Sequence, residues 1–276
     1  MARVALPPLY GDILALAKAV FGKNLEAVVV YGQAARPYDY SPYGDVNVAI
    51  ITRREVTPQE KMMFYSYMER HVVPVFITLD QLRELVEKGD MFAHAILRGS
   101  LVLMDRGGLS ELAAKPSDWG EMKRQVRRKA LAALGVAAQN LWRGAYWEAV
   151  NYMYRSLRAC LQWFCTTKDV DPPYDDSELS KAAKEAGAPR SSLDLLEKLG
   201  RLRMAGLSRE KCVAAMRETL EEVKSLLGLS GANWDDIRAK VGGRAVAAFE
   251  AYEEEGALKW RIQVVSEGGG LEEIEA

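Results

Sequence analysis

The feature that most constrains this chain is a pair of β-branched runs separated by a loop of defined length. The first run, LEAVVVY at 25–31, is followed by Gly32-Gln33. Eleven residues then lead to Asp45, which directly precedes the second run, VNVAIIT at 46–52. Both compositions predict buried strands. Alternate residues of a strand share a face, so Asp45 and Asn47 are expected on one side, near a glycine that lets backbone approach a ligand.

A glycine at a strand end lets the backbone approach and bind a triphosphate, and two carboxylates at i and i+2 can hold Mg²⁺ between them. The segment from Val30 to Ile50 resembles the signature of the polymerase-beta-type nucleotidyltransferase fold, in its minimal branch. The resemblance implies an α+β domain with a mixed sheet, ATP or another nucleotide as ligand, and Mg²⁺ as cofactor. It assigns nucleotide binding to the loop residues Gly32, Gln33, Tyr40, Tyr43 and Gly44.

The chain departs from that signature at its chemical positions. Gln33 and Gly44 stand where the family usually has serine, and Asn47 replaces the second carboxylate. Asp45 remains as a vestigial catalytic residue and a weak metal ligand. The third carboxylate is expected on the run VVPVFIT at 72–78, at Pro74, and that run has no acidic residue. Magnesium affinity should therefore be low.

Other interpretations of this loop stay open. Gly and Asp next to strands are also ordinary turn residues. The segment 92–104, FAHAILRGSLVLM, favours the family because it resembles the end of such domains. Asp39 and Asp80 are candidate substitutes for the missing carboxylates, although their spacing does not favour them. Three tyrosines in six residues, Tyr38 to Tyr43, suggest stacking on a base or a cover over the cleft.

Periodicity and breaker residues predict an N-terminal domain at 1–107, a linker at 108–117, a helical bundle at 118–229, and a C-terminal helix and tail at 230–276. In the last segment we predict helix over 233–255 with a break at Gly242-Gly243, an edge strand at 258–265, and a frayed acidic end.

The bundle resembles the HEPN domain in its first hairpin, 124–165, which turns at Gly144 between aromatic residues. The predicted bundle at 118–229 is thus all-α and HEPN-like. HEPN domains are commonly fused or paired with minimal nucleotidyltransferases in prokaryotes, and the bundle often forms homodimers. Catalytic HEPN ribonucleases carry an Arg-to-His motif. Neither His71 nor His94 lies in the helical half, so we expect no such activity and treat both histidines as packed or surface residues.

Composition limits the remaining possibilities. Thirty-seven basic and 38 acidic residues leave a net charge of -1, so bulk attraction to nucleic acid is not expected. Three cysteines without a metal or disulfide spacing, no membrane-spanning run and no signal-peptide pattern indicate a cytoplasmic protein. High Arg and Glu content with five Asn is typical of a thermophilic source.

Three functions remain as hypotheses. The first is a degenerate nucleotidyltransferase that binds nucleotide or a protein partner in a regulatory, toxin-antitoxin-like role. The second is an active Mg²⁺-dependent nucleotidyltransferase that modifies a small molecule or a protein hydroxyl. The third is a structural dimerisation module without a ligand.

Overall fold

The computed structural model describes residues 7–35, 45–69, 71–113, 119–173, 176–204, 207–266 and 268–276. The chain divides into two compact units, Met1–Met122 and Lys123–Ala276. Within the described residues, no helix is long and apolar enough to cross a membrane.

A four-stranded mixed sheet organises the N-terminal unit. Its strands are β1 (Leu25–Tyr31), β2 (Val46–Thr52), β3 (Val72–Thr78) and β4 (Ser100–Asp105), in the order β3-β2-β1-β4. β1 is antiparallel to both β2 and β4, whereas β2 and β3 are parallel. The α+β architecture and mixed sheet expected from the sequence are confirmed.

Helices cover both faces of this sheet, which is why β1 and β2 are almost uniformly apolar. Helices α1 (Pro8–Phe21) and α2 (Pro58–Tyr67) pack against one face of the sheet. Helices α3 (Leu79–Glu87), α4 (Met91–Arg98) and α5 (Gly108–Ala113) lie on the other. Thr57 and Thr78 start α2 and α3 through capping boxes, each with a Glu or Gln three residues later.

Helix α5 corrects the predicted linker. Residues 108–113 are helical, and Leu109 and Leu112 are buried in the N-terminal unit. Two leucines three residues apart form one apolar helix face, and that face outweighs the Gly107-Gly108 break signal.

The C-terminal unit begins with an antiparallel helical hairpin. Helices α6 (Trp119–Trp142) and α7 (Tyr146–Thr167) are joined at Gly144, whose φ of 77° explains the glycine. Helix α7 packs against α8 (Asp176–Glu185), α9 (Arg190–Leu202) and α10 (Arg209–Leu227). The last helix is α11 (Trp234–Val241).

Among the described residues, the regular elements of the bundle predicted at 118–229 are all helices, and a second sheet follows them in the same unit. Its strands are β5 (Ser230–Gly231), β6 (Val246–Glu254), β7 (Ala257–Val265) and β8 (Leu271–Glu275). Antiparallel β6 and β7 form a hairpin, β7 also pairs with β8, and β5 joins β7 in parallel.

This sheet corrects three predictions for the C-terminus. Residues 246–254 form a strand instead of a helix, because Phe249 and Ala251 alternate inward and a turn with positive φ at Glu255 and Gly256 closes the hairpin. β7 is paired along both sides and is not an edge strand. The acidic end is ordered as β8, paired with β7.

Candidate functional site

One end of the N-terminal sheet brings the sequence-predicted residues together. The register pairs Ser100 with Tyr31, Tyr31 with Asn47, and Asn47 with Val73, across β4, β1, β2 and β3. Laterally paired residues point to the same face of a sheet. We call these four residues the end row. All four keep exposed surface, so the row is accessible at its outer edge.

Gly32 ends β1 beside this row. Its φ is 75°, a conformation that favours glycine, and a short 3₁₀ turn at Gln33–Ala35 follows it. The Ala35 N–H donates to the Gly32 carbonyl at 3.1 Å, and the Tyr10 hydroxyl donates to the Ala34 carbonyl. The turn is therefore held both by its own backbone and by helix α1.

Asn47 faces Gly32 with its amide. A Cβ atom on Gly32 would lie 3.6 Å from Asn47 Nδ2, so the amide is in contact distance of the turn. Within the part of the chain that the structure describes, the Asn47 side chain makes no hydrogen bond. Asp45, just before β2, is exposed. The expected i and i+2 pair thus lies at the Gly32 turn, with one carboxylate and one amide.

The register corrects the predicted third position. Val73 is paired with Asn47, whereas Pro74 is paired with Val48 and is buried on the opposite face. The residue that occupies the third position is therefore Val73, with 41% of its surface exposed. Spacing along β3 could not distinguish the two residues, because a shift of one residue changes the face.

Asp80 cannot complete the site. It follows the carboxyl end of β3 in the first turn of α3 and pairs with Arg83. Val73 lies near the opposite end of the same strand, and the seven-residue separation corresponds to roughly 20 Å of extended chain. Asp39, Tyr38, Tyr40, Tyr43 and Gly44 lie outside the described residues, as does the side chain of Gln33.

Two further groups at this end were not assigned to the site from the sequence. Tyr31 is half-buried, its ring packs edge-on to Phe92 at 5.5 Å, and burial raises the pKa of its hydroxyl. The His71 carbonyl accepts a hydrogen bond from the Val46 N–H at 2.9 Å, so His71 adjoins the start of β2. Its Nε2 is buried without a partner among the described residues. The pairing of β1 with β2 could have indicated Tyr31, but no sequence signal indicated His71.

The donors of the end row do not fit a pair of Mg²⁺ ions. Divalent magnesium prefers carboxylates, and this end offers Asp45, an amide and a valine. No cluster of three or more His, Cys, Asp or Glu side chains that could hold a metal occurs among the described residues. The described residues here can accept hydrogen bonds and present backbone N–H groups at a glycine turn, but among them the charge for a two-metal centre is missing.

Comparisons with known proteins support the fold. No protein-family model matches the chain, and no curated protein matches it in sequence. Among solved structures, spectinomycin adenyltransferase AAD(9) from Enterococcus faecialis, crystallised with ATP and spectinomycin, is similar with a TM-score of 0.53 and 11% identity. That similarity covers 80% of this chain and 100% of the other.

A nucleotidyltransferase-like protein from Exiguobacterium sibiricum also aligns, with a TM-score of 0.37 and 14% identity over 80% of this chain and 75% of that one. The similarity to AAD(9) shows that this chain has a nucleotidyltransferase-like fold. At 11% identity it shows the fold alone.

Proposed function

We propose that this protein binds a nucleotide at the Gly32 turn and transfers a nucleotidyl group weakly or not at all. The observation that carries the proposal is the end row, in which Asn47 and Val73 occupy positions suited to the second and third carboxylates. Gly32 keeps its left-handed conformation next to that row. The glycine turn expected for nucleotide binding is thus present, whereas the second and third carboxylates are not.

The charge of the site supports this separation of binding from transfer. Compared with a site of three carboxylates, this site has about two negative charges fewer at the place where paired cations would neutralise a triphosphate. A nucleotide can still be held by backbone N–H groups and by polar side chains, since anion binding by backbone needs no metal. AAD(9), which shares the fold, was crystallised with ATP, and this supports a nucleotide as the ligand.

The biological role belongs to the same proposal. A nucleotide-binding protein without efficient transfer suits a regulatory, toxin-antitoxin-like function in which a protein partner or a second copy responds to the bound state. The resemblance of 124–165 to a HEPN hairpin supports a homodimer through the helical unit. Four exposed large side chains on α2, which include Tyr65 and Tyr67, offer apolar surface suited to a partner.

An active Mg²⁺-dependent transferase is the second candidate. It would use Asp45 as its main ligand together with unrecognised carboxylates that complete the site. The exposure of Asp45 favours this candidate, because the carboxylate is accessible to a cation. A dimerisation module without a ligand is the third candidate.

Titration of the full chain with ATP, with Mg²⁺ or with EDTA, tests the proposal, and pyrophosphate release is measured on the same samples. We expect binding of similar affinity in both buffers and no release above background. Pyrophosphate release that Asp45→Ala abolishes would establish the active enzyme. Absence of binding in both buffers would favour the module without a ligand.

A rescue variant adds a readout that does not depend on turnover. Asn47→Asp combined with Val73→Asp restores three carboxylates at this end, so ATP affinity should become Mg²⁺-dependent by about tenfold or more. Asn47→Leu is the matched control of similar size and should show no Mg²⁺ dependence. If the double variant binds ATP equally with Mg²⁺ and with EDTA, the end row is not a degenerate metal site.

A further inference from the structure

The C-terminal unit contains a cavity of about 680 Å³ that the proposed nucleotide site does not use. Three parts of this unit line it: the turn between α6 and α7, the first turns of α10, and one face of α11 with the segment that follows it. The volume is that of a site for a small organic ligand. The lining residues are all described and all belong to Lys123–Ala276.

Positive charge dominates the lining. Four of its residues are arginines, namely Arg143, Arg209, Arg238 and Arg244, and Asp235 is the one carboxylate. The Arg217 side chain, which hydrogen-bonds Asp235 at 2.7 Å, holds the pKa of that carboxyl below its ordinary value. The Asp235 charge is therefore balanced by Arg217, from outside the lining.

Two of the arginines are positioned by backbone carbonyls. Arg143 donates to the Ala247 carbonyl at 2.7 Å, and Arg244 donates to the carbonyls of Lys240 and Val241 at 2.6 and 3.0 Å. A hydrogen bond to a neutral backbone carbonyl holds a guanidinium group in place without neutralising its positive charge. Glu272 is the nearest carboxylate to Arg244, at 3.7 Å, a distance beyond that of a hydrogen bond.

The other two arginines are less restrained. Arg209 is exposed at the start of α10 and makes no ion pair among the described residues. Arg238 lies 3.8 Å from Asp235, which Arg217 binds more closely. Their guanidinium groups thus keep most of their hydrogen-bonding capacity for a ligand.

We propose that this cavity binds a small ligand with several phosphate groups. Four arginines in the lining of one cavity favour a compact molecule with several negative charges, and the planar guanidinium fork matches phosphate oxygens. Trp142 and Tyr146 add aromatic surface, which suits an organic phosphate. The limited volume of about 680 Å³ favours such a ligand over a nucleic-acid strand. The site is independent of the proposed function at Gly32.

Calorimetric titration of the full chain with sodium tripolyphosphate in EDTA tests the proposal. We expect a binding event whose affinity falls by about tenfold or more in Arg209→Gln/Arg238→Gln. The matched control, Arg190→Gln/Arg201→Gln, removes the same charge from α9, where both side chains are largely exposed, and should bind as the wild type does. Arg209→Lys/Arg238→Lys keeps the charge without the fork and should lose less affinity.

Several outcomes would overturn the inference. They are no tripolyphosphate binding by the wild type at millimolar ligand, an equal loss in the two glutamine pairs, or binding of a single-stranded oligonucleotide without binding of tripolyphosphate. The arginine variants separate this cavity from the Gly32 turn. Loss of tripolyphosphate affinity in Arg209→Gln/Arg238→Gln supports binding in this cavity, and unchanged affinity in that pair would overturn the inference.

Discussion

Asn47 differs from an aspartate by one group, an amide nitrogen in place of an oxygen, and this small change alters what the end row can bind. The amide is neutral and its Nδ2 contacts the Gly32 turn. An aspartate there would place a second negative charge near Asp45, which is tolerable when a cation is bound. Under the proposed function, asparagine removes the repulsion together with the metal affinity, and the glycine turn serves without a metal centre.

Gly32 carries the first prediction at this scale. A side chain at a φ of 75° is strained, so Gly32→Ala should lower the free energy of unfolding by about 1–2 kcal/mol and weaken ATP binding. The measurements are urea unfolding by far-ultraviolet circular dichroism and ATP titration. The control is Gly11→Ala, at an exposed position of α1 with open space around it, which should raise stability by about 0.5–1 kcal/mol. A Gly32→Ala protein as stable as the wild type would contradict the strain argument.

At the scale of elements, helix α2 starts with a network that links it to the loop after β2. Thr57 is the N-cap of the helix, and its backbone N–H donates to the Glu60 carboxylate. Arg54 also donates to that carboxylate, at 2.8 Å. These hydrogen bonds lower the pKa of Glu60 from its ordinary 4.5 to about 2, and the bond from Arg54 has the largest effect. The start of α2 therefore depends on an ionised Glu60.

The depressed pKa predicts a pH dependence. Stabilisation by Glu60 is present in full above the ordinary pKa of 4.5 and is lost as the pH falls through the folded value of about 2. Glu60→Gln should destabilise the protein at neutral pH by at most about 1 kcal/mol, since the pair lies at the surface. Urea unfolding of both proteins between pH 7 and pH 2 should show this difference shrinking below pH 4.5. A constant difference across that range would exclude the ion pair as its source.

Strand β5 carries a third prediction. Gly231 has a φ of 130°, and a methyl group there would collide with the Leu258 carbonyl of β7. Gly231→Ala should therefore cost more than about 2 kcal/mol. Tryptophan fluorescence during urea unfolding is the suitable probe, because five of the six tryptophans lie in the C-terminal unit. Gly243→Ala, which meets no atom within 4 Å, is the control, and equal stability of the two variants would contradict the steric argument.

At the scale of the whole molecule, the cysteines report on the integrity of the C-terminal unit. Cys160, Cys165 and Cys212 are all fully buried. Burial raises the pKa of each thiol, that of Cys165 to about 11. The reactive thiolate is therefore scarce and also inaccessible in the folded state.

We accordingly expect a thiol reagent to leave the native protein unlabelled for many minutes at mildly alkaline pH. All three thiols should react quickly in concentrated guanidinium chloride. The labelling rate, followed by mass spectrometry, then measures opening of this unit. Rapid labelling of one cysteine in the native protein would show local opening around that residue.

The sequence by itself determined much of the N-terminal unit. Four strands, the helices between them and the glycine turn follow from β-branched runs, helical periodicity and caps, which are local properties. In contrast, residues 246–254 are rich in Ala and Glu and favour helix locally. They form β6 because pairing with β7 and the contact of Phe249 with Trp260 outweigh helix propensity.

The site divides in the same way. Asp45, Asn47 and Gly32 could be chosen from spacing along one chain segment, because neighbours in sequence remain neighbours at a strand end. That Val73 and not Pro74 adjoins Asn47 depends on strand register, which is set by pairing between β2 and β3. The arginine cavity combines residues from 143 to 244, about a hundred positions apart. Only the tertiary structure could bring them together, because long-range packing and not local sequence decides which helix ends meet.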